Sequence, residues 1–276
     1  MAFYIPAQTP FPMTYIFIDG ASLTEAMASL ADVFFDSQPL AINWTSLRAM
    51  NRKAYYYDAI PLQTQEEDEN AYATRTAPKR AELATIERQG GYHVRTGDVR
   101  RRKKGNEQKM VDVQLSVDAL LMASRGLFSG CTLISSDLDF YPLIGALVEM
   151  GIDVTLQYQP GHTNSELLVA ADNVRPLTLN NSLSFLDLTP DQKLLVPKVA
   201  GVFQQSDEPL GTVLVEWDDE RFGNCVVHSR EGKICLLTQR EPHNPTTHRL
   251  VAEAASKKWL RAFLAETHDL EIPDWS

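Results

Sequence analysis

Two periodicities alternate through the first 180 residues. Tyr15–Ile18 is a short apolar run stopped by Asp19-Gly20, the pattern of a buried strand. Between Ala21 and Phe35, the residues Leu23, Met27, Leu30, Val33 and Phe34 recur at helical spacing. Arg52–Asp58 reads as an aromatic strand that again ends on an aspartate, and the acidic stretch Gln63–Asn70 reads as a loop. Ala73–Gln89, rich in Ala, Glu and Arg and closed by Gly90-Gly91, predicts a helix. A short strand is expected at His93–Arg95, and then a helix over Lys109–Ser124 with Val111, Leu115, Ala119 and Met122 as its stripe. Cys131–Ile134 predicts a strand, Leu138–Met150 a helix and Ile152–Tyr158 a further strand. Such alternation defines an α/β domain, with a mostly parallel sheet between two helical layers. Ligands of these sheets bind beyond the carboxyl ends of the strands.

After about residue 185 the texture changes. Pro190, Pro197 and Pro209 punctuate a loose stretch. Strand candidates then follow at Thr212–Trp217, Asn224–His228 and Lys233–Leu237, and a closing helix at Leu250–Ala265. Two domains are expected, an α/β domain over residues 1–180 and a small α+β domain over 181–276.

The 276 residues are 44% apolar, enough for a real core. No apolar run approaches the ~20 residues of a membrane span, and the stretch Met1–Pro12 lacks the basic start of a signal peptide. Three scattered cysteines form no disulfide framework and no zinc knuckle, so a cytoplasmic setting is the expectation. If Arg230 centres a hairpin, Cys225 and Cys235 fall opposite one another as packed thiols.

Net charge alters this picture. The chain carries −10, which argues against a phosphate-rich partner. Residues 95–109, however, hold seven Lys/Arg against two acids. The acids that attract attention are those at element ends. Asp19 follows the first strand, Asp112 lies in the first turn of a helix, and Asp137 and Asp139 follow the strand Cys131–Ile134 in the run SSDLDF. Each could be no more than a turn former, helix cap or dipole partner. On one sheet edge together they would repel, and a hard cation such as Mg²⁺ or Mn²⁺ would relieve that repulsion and favour phosphodiester hydrolysis.

The segments YIFIDGASL, KMVDVQLSVDALLMA and LISSDLDFYPLIGALVEMGIDVTL, with HTNSELLVAADNV after them, occur in one order. Over about residues 14–178 they resemble the NYN domain of the PIN-like nuclease superfamily, in its LabA-like bacterial branch. The resemblance implies a three-layer α/β/α nuclease fold with Asp19, Asp112, Asp137 and Asp139 as catalytic, metal-holding carboxylates and Mg²⁺ or Mn²⁺ as cofactor. It places Ser135 beside the metal carboxylates and the family's lysine at Lys109. Two positions depart from the pattern: Ser22 stands where Asn is frequent and Ser136 where glycine is usual.

Asp118, six residues after Asp112, is turned away from that face of an ideal helix and is expected to brace the site with Ser22 and Ser135. Asp58 is placed at the pocket edge. Arg100, Arg101, Arg102, Lys103 and Lys104 would hold phosphates flanking the scissile bond, without base selectivity because no aromatic interleaves them. The solvated charged hairpin is the other reading of this segment. The histidines, His162 among them, form no site in the sequence. The expected function is a metal-dependent endonuclease acting on nucleic acid, RNA ahead of DNA. Its rival is a non-catalytic nucleic-acid-binding or regulatory module on the same fold. An aspartyl phosphatase is disfavoured because Ala21, not an acid, stands two residues after Asp19. Residues 180–276, with 15 acids and 10 bases, fit contact with a protein partner or a second copy better than nucleic acid.

Overall fold

The computed structural model describes residues 13–61, 63–64, 66–96, 109–200, 204–205, 211–239, 247–248 and 251–275. The chain divides into two compact units, Met1–Met27 with Ile42–Leu177 and Ala28–Ala41 with Thr178–Ser276.

The first unit is built on six strands: β1 (Thr14–Asp19), β2 (Lys53–Asp58), β3 (Tyr92–Thr96), β4 (Gly130–Ile134), β5 (Asp153–Tyr158) and β6 (Asn173–Pro176). Their order in the sheet is β3-β2-β1-β4-β5-β6, and every pairing is parallel. The chain winds outward from β1 to β3 and then returns to the other side of β1 to lay down β4. Strand order therefore reverses between β1 and β4, where the register sets Ile18 against Ile134. A crevice opens at such a reversal, outside the carboxyl ends of the two strands.

The helices of this unit are α1 (Gly20–Phe34, shared between the units), α2 (Trp44–Arg48), α3 (Glu69–Glu87), α4 (Lys109–Ser124), α5 (Tyr141–Glu149) and α6 (Ser165–Ala170). Side chains alternate across each strand. Phe17, Tyr55, Leu133 and Leu156 thus face Leu115 and Ala119 of α4 and Ile144 and Leu147 of α5 in one core. Ile16, Ile18 and Tyr56 are buried at the intervening positions.

Several expectations shift. Helix α3 begins in the acidic run read as a loop, because Asp68 caps it by accepting from Ala71 N at 2.7 Å and Glu69 favours its dipole. The helix expected over Leu138–Met150 opens instead as a 3-10 turn, Leu138–Phe140, capped by Asp137. Strand β6 and helix α6 were not anticipated.

The second unit is rich in β structure. Strands β7 (Lys198–Ala200), β8 (Thr212–Asp219), β9 (Gly223–Arg230), β10 (Lys233–Gln239) and β11 (Val251–Ala254) form an antiparallel sheet in the order β8-β9-β10-β11-β7. The loose stretch contains α7 (Pro190–Leu195), held by a capping box between Thr189 and Gln192. The expected helix from Leu250 is corrected: Val251–Ala254 pairs with β10, and α8 (Lys257–His268) starts only after its N-cap Ser256. The hairpin turns at Glu231-Gly232, both at positive φ, so Arg230 pairs with Lys233. Cys225 therefore lies opposite Thr238 and Cys235 opposite His228, not opposite each other. No described helix is long and apolar enough to cross a membrane.

Candidate functional site

Asp19 occupies the turn from β1 into α1, and each of its carboxylate oxygens has a separate task. Oδ1 accepts from the backbone N–H groups of Ala21 (3.1 Å) and Ser22 (3.3 Å), satisfying donors at the start of the helix. Oδ2 accepts from the Ser22 hydroxyl at 2.6 Å and the Ser135 hydroxyl at 2.9 Å. Ser135, buried at the end of β4, also accepts from Asp137 N at 3.1 Å. Ser22 Oγ accepts from Ser136 N at 3.3 Å. Hydroxyls on both sides of the strand reversal therefore tie Asp19 to the β4 loop. Ser136 fits where the resemblance calls for glycine, because its hydroxyl accepts from Gln159 N at 2.9 Å.

Asp19, Asp112 and Asp137 line one cleft of about 340 Å³ at this sheet edge. Asp58, Glu25, Gln159 and His162 share its walls. Burial, together with the charges of Asp19, Asp137 and Asp139, pushes the Asp112 carboxyl up to about 6. Asp112 has no hydrogen-bond partner among the described residues. Asp139 is exposed and does not line the cleft, although its charge reaches Asp112. Its backbone N–H donates to Asp137 Oδ1 at 2.9 Å.

Asp118 also lies off the cleft, where its carboxylate accepts from the Tyr57 hydroxyl at 3.1 Å and stands 3.7 Å from Arg95. Tyr57 itself lines the cleft, so Asp118 fixes one of its walls. Arg100, Arg101, Arg102, Lys103 and Lys104 lie outside the described residues, as does the side chain of Lys109 at the start of α4.

Glu25 and Gln159 carry no site motif in the sequence, and His162, read there as part of no site, lines the cleft. Gln159 and His162 follow β5, whose carboxyl end adjoins that of β4, and this strand-end position was the available signal.

A divalent cation suits the chemistry of this donor set. Oxygen ligands on a carboxylate cluster are what Mg²⁺ and Mn²⁺ prefer, and burial first, then the charges of Asp19, Asp137 and Asp139, hold Asp112 up. The ligand sphere is not preassembled: among the described residues no three His, Cys, Asp or Glu side chains form a group that could hold a metal ion.

The NYN domain family model matches residues 13–178. The chain belongs to the NYN domain family, within the PIN-like nuclease superfamily. That membership indicates a nuclease-like role connected with nucleic acid, and PIN-like nucleases usually use divalent metals. No match to a curated protein was found. Among solved structures, a protein of unknown function from Vibrio parahaemolyticus is similar at 18% identity, over 65% of this chain and 99% of its own, with a TM-score of 0.46.

Proposed function

We propose that the chain is a metal-dependent endonuclease that hydrolyses the phosphodiester bonds of RNA. One observation carries this reading: three carboxylates from three separate elements, Asp19, Asp112 and Asp137, open onto a single cleft at the strand reversal of an NYN domain. Mg²⁺ or Mn²⁺ would be held by these three. When bound, such an ion supplies Lewis acidity that stabilises the charge developing on the phosphodiester.

The residues of the chain do the remaining work. Ser22 and Ser135 hold Asp19 through its Oδ2, so a cation approaching that oxygen competes with two hydroxyl donors. Asp112, free of such donors, would either hold the ion or, where it does not, take a proton from the attacking water. Asp139 orders the loop through its contact with Asp137 and adds negative charge at the cleft edge. The segment Arg100–Lys104 would supply phosphate contacts beside Asp112 in sequence.

The rival, a non-catalytic nucleic-acid-binding module, is favoured by one observation, the lack of a preassembled three-residue metal group among the described residues. Labelled RNA and DNA panels incubated with and without Mn²⁺ separate the two. Cleavage of RNA that needs Mn²⁺ and disappears in Asp19→Asn is the expected result. Binding without cleavage supports the rival.

A further inference from the structure

Gln159 is the first residue beyond β5, and it lines the cleft while only 5% exposed. Its backbone is committed on both sides. The N–H donates to Ser136 Oγ at 2.9 Å, which ties the residue to the immediate neighbour of Asp137. The carbonyl accepts from His162 N at 3.4 Å across the turn Pro160-Gly161, where Gly161 takes a φ of 76°, and from Thr163 Oγ1 at 2.9 Å. The side-chain amide, by contrast, has no hydrogen-bond partner among the described residues. Hydroxyls on the same cleft are engaged within the protein: Ser22 donates to Asp19, Tyr57 donates to Asp118, and Ser136 accepts from Gln159 itself.

We propose that the Gln159 side-chain amide recognises the 2′-hydroxyl of a nucleotide next to the scissile phosphate, and so selects RNA over DNA. The inference rests on the endonuclease reading above and names the side chain that sets its substrate class.

A buried amide without a partner costs the fold free energy, because its water is lost and nothing replaces it. In a cleft wall, such a group is accounted for by a ligand that completes it. The amide offers a donor, Nε2, and an acceptor, Oε1, so its complement must both accept and donate. A phosphate oxygen only accepts, and while meeting Nε2 it would set like partial charges against Oε1. The ribose 2′-hydroxyl does both, and it is the group by which a protein tells RNA from DNA.

A base edge also carries donors and acceptors, but the anchoring of Gln159 favours the sugar. Its bond to Ser136 sets it beside the loop that carries Asp137, where the reacting phosphate would lie, and a ribose adjoins that phosphate. The Pro160-Gly161 turn supplies rigidity, because proline presets its own φ and glycine takes the positive one. Held in this way, the amide is left unpaired when a 2′-deoxy sugar occupies the site, and a site built to bond a hydroxyl rejects the analogue that lacks it.

A deoxy scan tests this. A short RNA cut at one mapped bond is compared, by kcat/KM in Mn²⁺, with the same RNA carrying a single 2′-deoxynucleotide at successive positions. For wild type, one deoxynucleotide beside the scissile bond is expected to lower kcat/KM by about 10–100-fold, the cost of an unpaired buried amide. Gln159→Met keeps the side-chain length without the amide, and Gln159→Asn withdraws the amide by one methylene. In whichever of these melts like wild type, the penalty is expected to shrink to about 3-fold or less. Exchanging the base at the sensitive position, with its ribose kept, is expected to change kcat/KM little. A loss as large as the deoxy penalty would assign the amide to the base edge and overturn the inference. A wild type indifferent to every deoxy placement overturns it whether or not the variants fold. A folded variant that keeps the full deoxy penalty also overturns it, while leaving the endonuclease reading in place. No cleavage of the all-ribose RNA by wild type overturns the endonuclease reading itself, and the inference with it.

Discussion

Asp19 divides its two carboxylate oxygens between separate partners. A strand-end aspartate can be read as a helix cap, and Oδ1 is one, serving the N–H groups of Ala21 and Ser22. Oδ2 meanwhile faces the hydroxyls that join the two sides of the strand reversal. The next residue shows how tightly this turn is packed. A Cβ at Gly20 would lie 2.7 Å from both Asp58 Oδ2 and the hydroxyl of the buried Tyr56. Gly20→Ala is expected to destabilise the fold by about 1–3 kcal/mol, less the helix propensity that alanine gains. Urea unfolding reads this loss, and a neutral or stabilising result would show that Tyr56 and Asp58 give way freely.

Asp112 makes a prediction with a definite sign. Its carboxyl is raised by burial and by three neighbouring charges to about 6, from an ordinary aspartate value near 4. A carboxyl raised on folding favours the folded state while protonated. Its contribution is complete below about pH 4 and is lost as pH rises through about 6. Metal-free Asp112→Asn should therefore melt above wild type at pH 7 and match it near pH 4. A wild type that melts higher at pH 7 would contradict the crowding of charge in the cleft.

At the scale of elements, what was legible followed from pattern strength. The runs before Asp19 and after Gly130 are strands because a short, largely apolar stretch bounded by turn residues suits a buried strand. Helix α4 spans the predicted Lys109–Ser124 because its stripe of Val111, Leu115 and Ala119 packs on the sheet. The misreadings share a cause, since local chemistry at an element end was outweighed by composition. The acid-rich run before α3 looked like a loop, yet acids are what a helix start prefers. Asp68→Ala should cost about 0.5–2 kcal/mol, measured by thermal unfolding. No loss would mean that α3 does not depend on this cap. The closing helix was begun too early because Val251–Ala254 has no helix-breaking residue; pairing with β10 on one side and β7 on the other makes it a strand. The cysteine register was off because Glu231 takes a positive φ beside Gly232, moving the turn past Arg230.

The whole molecule explains why the site was only partly legible. Asp19, Asp112 and Asp137 are far apart in sequence and meet on one cleft only because β4 returns to the side of β1. Strand ends marked Asp19 and the SSDLDF run, but the cleft wall formed by Gln159 and His162 depends on the position of β5 beside β4, which no local motif announces. Asp139 looked equivalent to Asp137 in the motif, yet it sits inside the 3-10 turn and only Asp137 lines the cleft. The net charge of −10 likewise misleads when taken as a single figure, because part of it is gathered into a cleft suited to cations.

The central claim is that these carboxylates form one cation-dependent site for phosphodiester cleavage. The most direct measurement is the rate of cleavage of an end-labelled RNA by wild type and Asp137→Asn, each in Mn²⁺ and in EDTA. The account predicts cleavage by wild type in Mn²⁺ alone, with Asp137→Asn inactive at an unchanged melting temperature. Equal cleavage by both proteins, or cleavage that persists in EDTA, would contradict it.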